Sequence, residues 1–232
     1  MAPPLKLSIV IPVGPGERAW PRLLDDLAAL EGPAEILLAA PRGAVPANFR
    51  PEQHGLRVSA RWLETGTGRA RQQNAGARAA RGETLWFLHA DSRLPARALD
   101  AAWDFAGREA LGYLDLHFDR DGPALARLNA LGARIRSRWL RLPFGDQGLM
   151  VPRRAFLALG GFDESLPAAE DHAFVWAARR AGLPLAPIGA PVLSSARRYR
   201  EQGWLRTTLR HGVLTVTQAA RFARARDPER RS

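Results

Sequence analysis

Thr84-Leu-Trp-Phe-Leu-His-Ala-Asp91-Ser92 is an apolar run that closes on an acid. A carboxylate cannot end such a run unless it reaches solvent, a cation or a partner. Residues 84–89 are predicted as a buried strand. In open α/β sheets, ligands occupy the crevice beyond the carboxyl ends of the strands. Asp91 is thereby placed where a metal or a polar ligand is held.

On either side of this segment, strand-like runs alternate with helical periodicity. Leu7–Val13 reads as the opening strand, followed by a helix through Trp20, Leu23, Leu24, Leu27 and Leu30. Glu35–Ala40 and Leu56–Leu63 are further strands, and Arg69–Arg81 is a helix. Pro95 suits the first turn of a helix that runs to about Gly107. This alternation predicts a mostly parallel sheet covered on both faces. In the second half, Ala110–Phe118 reads as a strand and Pro123–Leu142 as a long basic amphipathic helix. Its apolar stripe is Leu128, Leu131, Ile135, Trp139 and Leu142, with arginines around it. A strand near Gly148–Val151, helices at Pro152–Leu159 and Glu170–Ala181, a strand at Pro191–Ser194 and a final helix from about Glu201 to Ala225 complete the reading.

The 232 residues suffice for one sizeable domain, and 46% hydrophobic with 25% charged residues is a globular composition. With no cysteine, disulfides, thiolate catalysis and zinc–thiolate sites are excluded. Leu7–Val13 is too short, and lacks the flanks, for a signal peptide. No apolar run reaches the roughly 18 residues that span a bilayer. A cytoplasmic protein is expected, with peripheral attachment at the inner face of the membrane left open. Net charge is +11, and Lys6 is the only lysine. Arginine's planar fork suits phosphates, although an arginine-rich codon bias produces the same excess. No helix-turn-helix, zinc-finger or aromatic RNA-binding pattern occurs, so no nucleic-acid partner is expected.

Four polar constellations carry the chemistry. His89-Ala-Asp91-Ser92 is the first. Gly68-Arg-Ala-Arg-Gln-Gln-Asn74-Ala-Gly76 opens a helix, where unpaired N–H groups and the dipole favour anions. Gly160-Gly-Phe-Asp163-Glu164 precedes Glu170-Asp171-His172. The acids at 170 and 171 either complement a helix dipole or supply a general base. Ser194-Ser-Ala-Arg197-Arg198-Tyr199 follows a strand, and its arginines are a solvated turn or a clamp on a diphosphate.

In their order and spacing, these segments resemble family 2 of the glycosyltransferases, with the GT-A fold, over nearly the whole chain. Leu7–Val13, Arg69–Gly76, His89-Ala-Asp91 in place of Asp-x-Asp, Gly160–Glu164 and Glu170-Asp171 carry the likeness. The chain looks most like a small, stand-alone bacterial subgroup with Leu88–Asp91, Gly145–Gln147 and Ser195–Arg198. The resemblance implies an α/β, Rossmann-like, mostly parallel sheet with helices on both faces and an acceptor-side extension. Residues 1–115 would form the nucleotide-sugar half, 116–200 the acceptor half and 201–232 a basic helix and tail. It implies inverting transfer from a nucleoside-diphosphate sugar to a glycan or lipid-linked hydroxyl. Asp171 would be the base, with Glu170 second. Asp91 and His89 would hold Mg²⁺ or Mn²⁺. Pro12, Arg69, Asn74, Arg197 and Arg198 would bind the nucleotide sugar, and Asp146 and Gln147 would face the acceptor.

Three positions depart from the family pattern. The second strand ends Ala39-Ala40-Pro41-Arg42-Gly43, with no acid for the nucleoside. His89 replaces a carboxylate, and residue 173 is alanine. They motivate a catalytically silent GT-A protein as the alternative. A further alternative is a sugar nucleotidyltransferase, suggested by Val13-Gly-Pro-Gly-Glu-Arg18.

Overall fold

The computed structural model describes residues 4–46, 48–118 and 126–194, and side chains in the last stretch from residue 129. Among the described residues seven strands form one sheet in the order β3-β2-β1-β4-β6-β5-β7. They are β1 (Leu7–Pro12), β2 (Ala34–Pro41), β3 (Ser59–Thr65), β4 (Thr84–Phe87), β5 (Leu111–Phe118), β6 (Met150–Pro152) and β7 (Leu185–Ser194). Strands β1 to β4 pair in parallel. Of these seven strands β6 alone is reversed, running antiparallel to β4 and to β5.

The helices are α1 (Trp20–Leu27), α2 (Arg69–Ala79), α3 (Ala96–Phe105), α4 (Ala126–Trp139), α5 (Arg153–Ala158) and α6 (Glu170–Arg180). Alternation along β1 sorts its side chains between two cores. Ile9 and Ile11 pack with Leu23, Leu24, Leu27, Leu99 and Phe105 from α1 and α3. Val10 packs on the other face with Ala77, Phe156, Phe174 and Val175 from α2, α5 and α6. Both faces are covered, which is why β1, β2 and β4 are apolar along most of their length, with the buried polar pair Ser8 and Glu35 bonded to each other.

Helix α2 is polar for a buried element, and two contacts hold it against the sheet. A Cβ on Gly76 would lie 2.3 Å from Val10 Cγ1, so only glycine admits this close approach. The Gln72 amide donates to the carbonyls of Val13 and Ala39, both at 2.7 Å. The first turn of α2 is thus tied to the tips of β1 and β2.

Several boundaries differ from the sequence reading. Residues 51–54 form a short 3₁₀ turn that Gly55 ends at φ 64°, so β3 starts at Ser59, after Leu56. β4 stops at Phe87, leaving His89 in the following turn. β7 starts at Leu185, well before Pro191, and tolerates Pro187 and Pro191 at the edge of the sheet, where β5 is its partner strand and Arg93 adds a single bridge to Leu193. Among the described residues no helix is long and apolar enough to cross a membrane. The expected helix from Glu201 and the segment with Arg197 and Arg198 lie outside the described residues.

Candidate active site

The tips of β1 and β4 and the N-termini of α2 and α6 meet in one place. His89 follows β4 in a turn closed by the Ser92 amide on the His89 carbonyl at 3.0 Å. The next residues are anchored: Arg93 holds Asp26 through two bonds of 2.6 and 2.8 Å, and its backbone pairs with Leu193. Asp91 is thereby fixed on a rigid corner, half-buried. Its carboxylate makes no ion pair or hydrogen bond among the described residues.

Asp171 lies in the first turn of α6. Both of its oxygens accept backbone N–H groups, from Gly145 at 2.6 Å and from His172 at 2.8 Å. Burial pushes its pKa up, but Arg69, these two amides and His89 outweigh burial and hold it below the usual carboxylate range. The adjacent Glu170 is buried and paired with Arg69. Asp171, Glu170 and Asp146 together raise the Arg69 pKa against the desolvation that lowers it.

His89 sits at the centre of the cluster. Burial lowers its pKa and Arg69 adds to the shift, against the opposing fields of Asp91, Asp146 and Asp171. Its imidazole is therefore neutral at pH 7. Asp146 shows the opposite tendency to Asp171. Desolvation pushes its pKa up and the nearby Asp171 charge adds to this, opposed by Arg136, His89 and Arg69. Its Oδ1 is buried with no hydrogen-bond partner among the described residues.

The structure also shows how the other candidates are used. Gln147 is fully enclosed. Its Oε1 accepts from Ser137 Oγ at 2.7 Å, Phe144 N at 3.1 Å and Arg136 at 3.2 Å, while its Nε2 donates to the Leu114 carbonyl at 3.0 Å. Its amide therefore braces the 3₁₀ turn Gly145–Gln147 and leaves Asp146 as the member of the pair with a free oxygen. Asn74 exchanges bonds with the backbone of Phe162, accepting from its N–H at 2.9 Å and donating to its carbonyl at 2.8 Å. It staples α2 to the Gly160–Phe162 loop. Pro12 is buried at the end of β1. The missed contributor is Arg136, which lies over the Phe144 ring at 3.6 Å and holds the Leu142 carbonyl at 2.9 Å. Nothing in its helical spacing set it apart from its arginine neighbours.

Beyond β2 and β3, Arg42, Glu64, Thr65 and Gly66 line an open cleft of about 450 Å³. Among the described residues no three His, Asp or Glu side chains gather in a group that holds a metal ion.

No protein-family model matches the chain, and no protein of curated function does. Solved structures do. Staphylococcus aureus TarS, residues 1–349, in complex with UDP-GlcNAc, is similar at a TM-score of 0.61 and 18% identity, over 82% of this chain and 58% of that one. The mannosyltransferase PcManGT from Pyrobaculum calidifontis, in complex with GDP-Man and Mn²⁺, is similar at a TM-score of 0.64 and 18% identity, over 97% of this chain and 66% of that one. The chain thus spans less than two thirds of the length of either. Together with the strand order, these likenesses establish the GT-A fold.

Proposed function

We propose that this chain is an inverting glycosyltransferase, moving a sugar from a nucleoside diphosphate to a hydroxyl of a glycan or lipid-linked acceptor. The observation that carries the reading is the gathering of the charges of Asp91, Asp146, Asp171 and Arg69 about a half-buried His89 just beyond β4. That two of the similar structures were solved with nucleotide sugars supports it.

In this reading the diphosphate lies against the N-terminus of α2, which has no side-chain cap. Arg69, with Arg197 and Arg198, neutralises its charge. The nucleoside occupies the cleft beyond β2 and β3, where Glu64 supplies an acid that β2 lacks. Asp91 and His89 fit a hard divalent cation such as Mg²⁺ or Mn²⁺, one as an unpaired carboxylate and the other as a neutral nitrogen donor. Bound there, such an ion would supply charge neutralisation on the leaving nucleotide.

Asp171 orients the acceptor hydroxyl for attack on the anomeric carbon. The new C–O bond forms as the bond to the diphosphate breaks, and the leaving oxygen takes the electron pair. The hydroxyl proton passes to Asp171. Its low pKa makes it a weak base, so the proton moves late, once bonding to carbon has made the hydroxyl acidic. Asp146 lines the acceptor side, positioned by Gln147.

Calorimetric titration with UDP, GDP and dTDP, with and without Mn²⁺, is the direct test. Metal-dependent binding of one of them, lost in Asp91→Ala, is expected. No binding of any nucleotide would leave a catalytically silent GT-A protein, the reading favoured by the acid-free end of β2.

A further inference from the structure

We propose that the outward face of α4 docks the protein onto an anionic phospholipid surface. The inference stands on surface chemistry alone and is independent of sugar transfer. Leu131, Ile135 and Trp139 recur every four residues, so they form one stripe along the helix. In the structure this stripe points away from the core. Leu131 is 52% exposed, Ile135 50%, Trp139 81% and the adjoining Leu140 59%. The inward face is instead made by Ala133 and Ser137, the latter bonded to Gln147. A contiguous apolar patch centred on an open tryptophan marks an interaction surface.

Charge decides the occupant. From Gly122 to Gly145 the chain carries five arginines and no acid; Arg136 turns inward to Gln147, while Arg134 and Arg138 share the single charge of Asp115. Arg138 keeps 47% of its side chain exposed while holding Asp115, and Arg141 is exposed with no ion pair among the described residues. A second copy related by two-fold symmetry would set this arginine-rich face against itself. Residues 195–232 carry ten arginines against three acids, so covering the patch with that segment would also bring like charges together. A negatively charged lipid surface accepts the apolar stripe and the arginines at once. Tryptophan and leucine enter the acyl boundary while arginine stems reach up to the phosphates. The helix leads through residues 140–144 into the turn that carries Asp146. The patch therefore borders the acceptor side of the site.

The test is flotation of the full chain with vesicles of phosphatidylcholine alone and of phosphatidylcholine with phosphatidylglycerol. Binding to the anionic vesicles only, weakened by salt, is expected. Trp139→Ala and the double variant Leu131→Asp/Ile135→Asp should each lower partitioning at least about tenfold, and Arg141→Gln about fivefold. All three lie on exposed positions, and unchanged nucleotide titrations would show that the fold and the site persist. Three results would overturn the proposal. The chain floats with neither vesicle, or the stripe variants float as well as the parent. In the third, sedimentation finds a dimer that Trp139→Ala converts to monomer, which assigns the face to a second copy. Vesicle binding without nucleotide binding would leave the docking surface standing and remove the transferase reading.

Discussion

Replacing Gln147 by alanine separates a residue that builds the site from one that works in it. The side chain has no solvent contact and makes four hydrogen bonds. Two of its partners are not stranded by its loss. The Ser137 hydroxyl also reaches the Ala133 carbonyl at 2.8 Å, and Arg136 keeps the Leu142 carbonyl. The other two, the Phe144 N–H and the Leu114 carbonyl, lose their bonds to the Gln147 amide. The second lies where the register between β5 and β7 shifts, between Tyr113 and Asp115, so no regular ladder bond replaces it. Each buried orphan costs about 1–3 kcal/mol, and the vacated volume adds to this. A loss of roughly 3 kcal/mol follows, a large share of a typical folding stability. Urea unfolding followed by circular dichroism should show the midpoint fall by about 1 M or more. The neighbouring Asp146→Asn variant removes a carboxylate disfavoured by burial, so it should unfold within about 1 kcal/mol of the parent or later, while losing transfer. Stability within about 0.5 kcal/mol of the parent in Gln147→Ala, together with a loss of transfer equal to that of Asp146→Asn, would refute the bracing role.

Further outcomes are expected elsewhere. Asp171→Asn should keep nucleotide affinity within about threefold while transfer falls by about 10²–10⁴, and equal activity in the two proteins would dismiss it as the base. His89 contributes a pH dependence of definite sign. Its folded pKa lies below the ordinary value near 6.5, so on acidification the unfolded chain takes up a proton that the folded chain refuses. Stability is therefore lost as pH falls from about 6.5 towards the folded value, by up to about 1.4 kcal/mol per pH unit, and is level above it. Urea unfolding across that range should show a shallower slope for His89→Gln in metal-free buffer, and parallel curves would contradict the burial effect. In Gly76→Ala the new methyl lies 2.3 Å from Val10 Cγ1. A loss of about 1–3 kcal/mol in the same unfolding assay is expected, and an unchanged midpoint would show that α2 can shift away from β1.

The parallel strands were legible because both of their faces are buried. Leu7–Pro12, Ala34–Pro41 and Thr84–Phe87 carry enough apolar side chains to be seen without knowing their neighbours. β7 was only half visible, since Pro187, Gly189 and Pro191 read as breakers until its place at the sheet edge is known. The stripe on α4 was visible as a period, but a period does not say which way a helix faces. Ser137 and Arg136, through their bonds to Gln147, turn the polar side inward. At the site, the residue types at 89, 91, 146 and 171 pointed to chemistry through the family resemblance. Side-chain partners were not readable. Asn74 and Gln147 spend their amides on backbone groups 88 and 33 positions away, and no local spacing encodes such contacts.

β6 has only three residues, Met150–Pro152, and is encoded late, yet it lies between β4 and β5. A chimera that joined the first 118 residues to a foreign C-terminal portion would have to inherit a reversed strand matching Trp86 and Gly112 in register. Failing that, it would present two open strand edges to other chains. Grafting of loops between strands leaves this ladder untouched. For redesign of the acceptor preference, the workable unit of exchange is a surface segment, not half of the molecule.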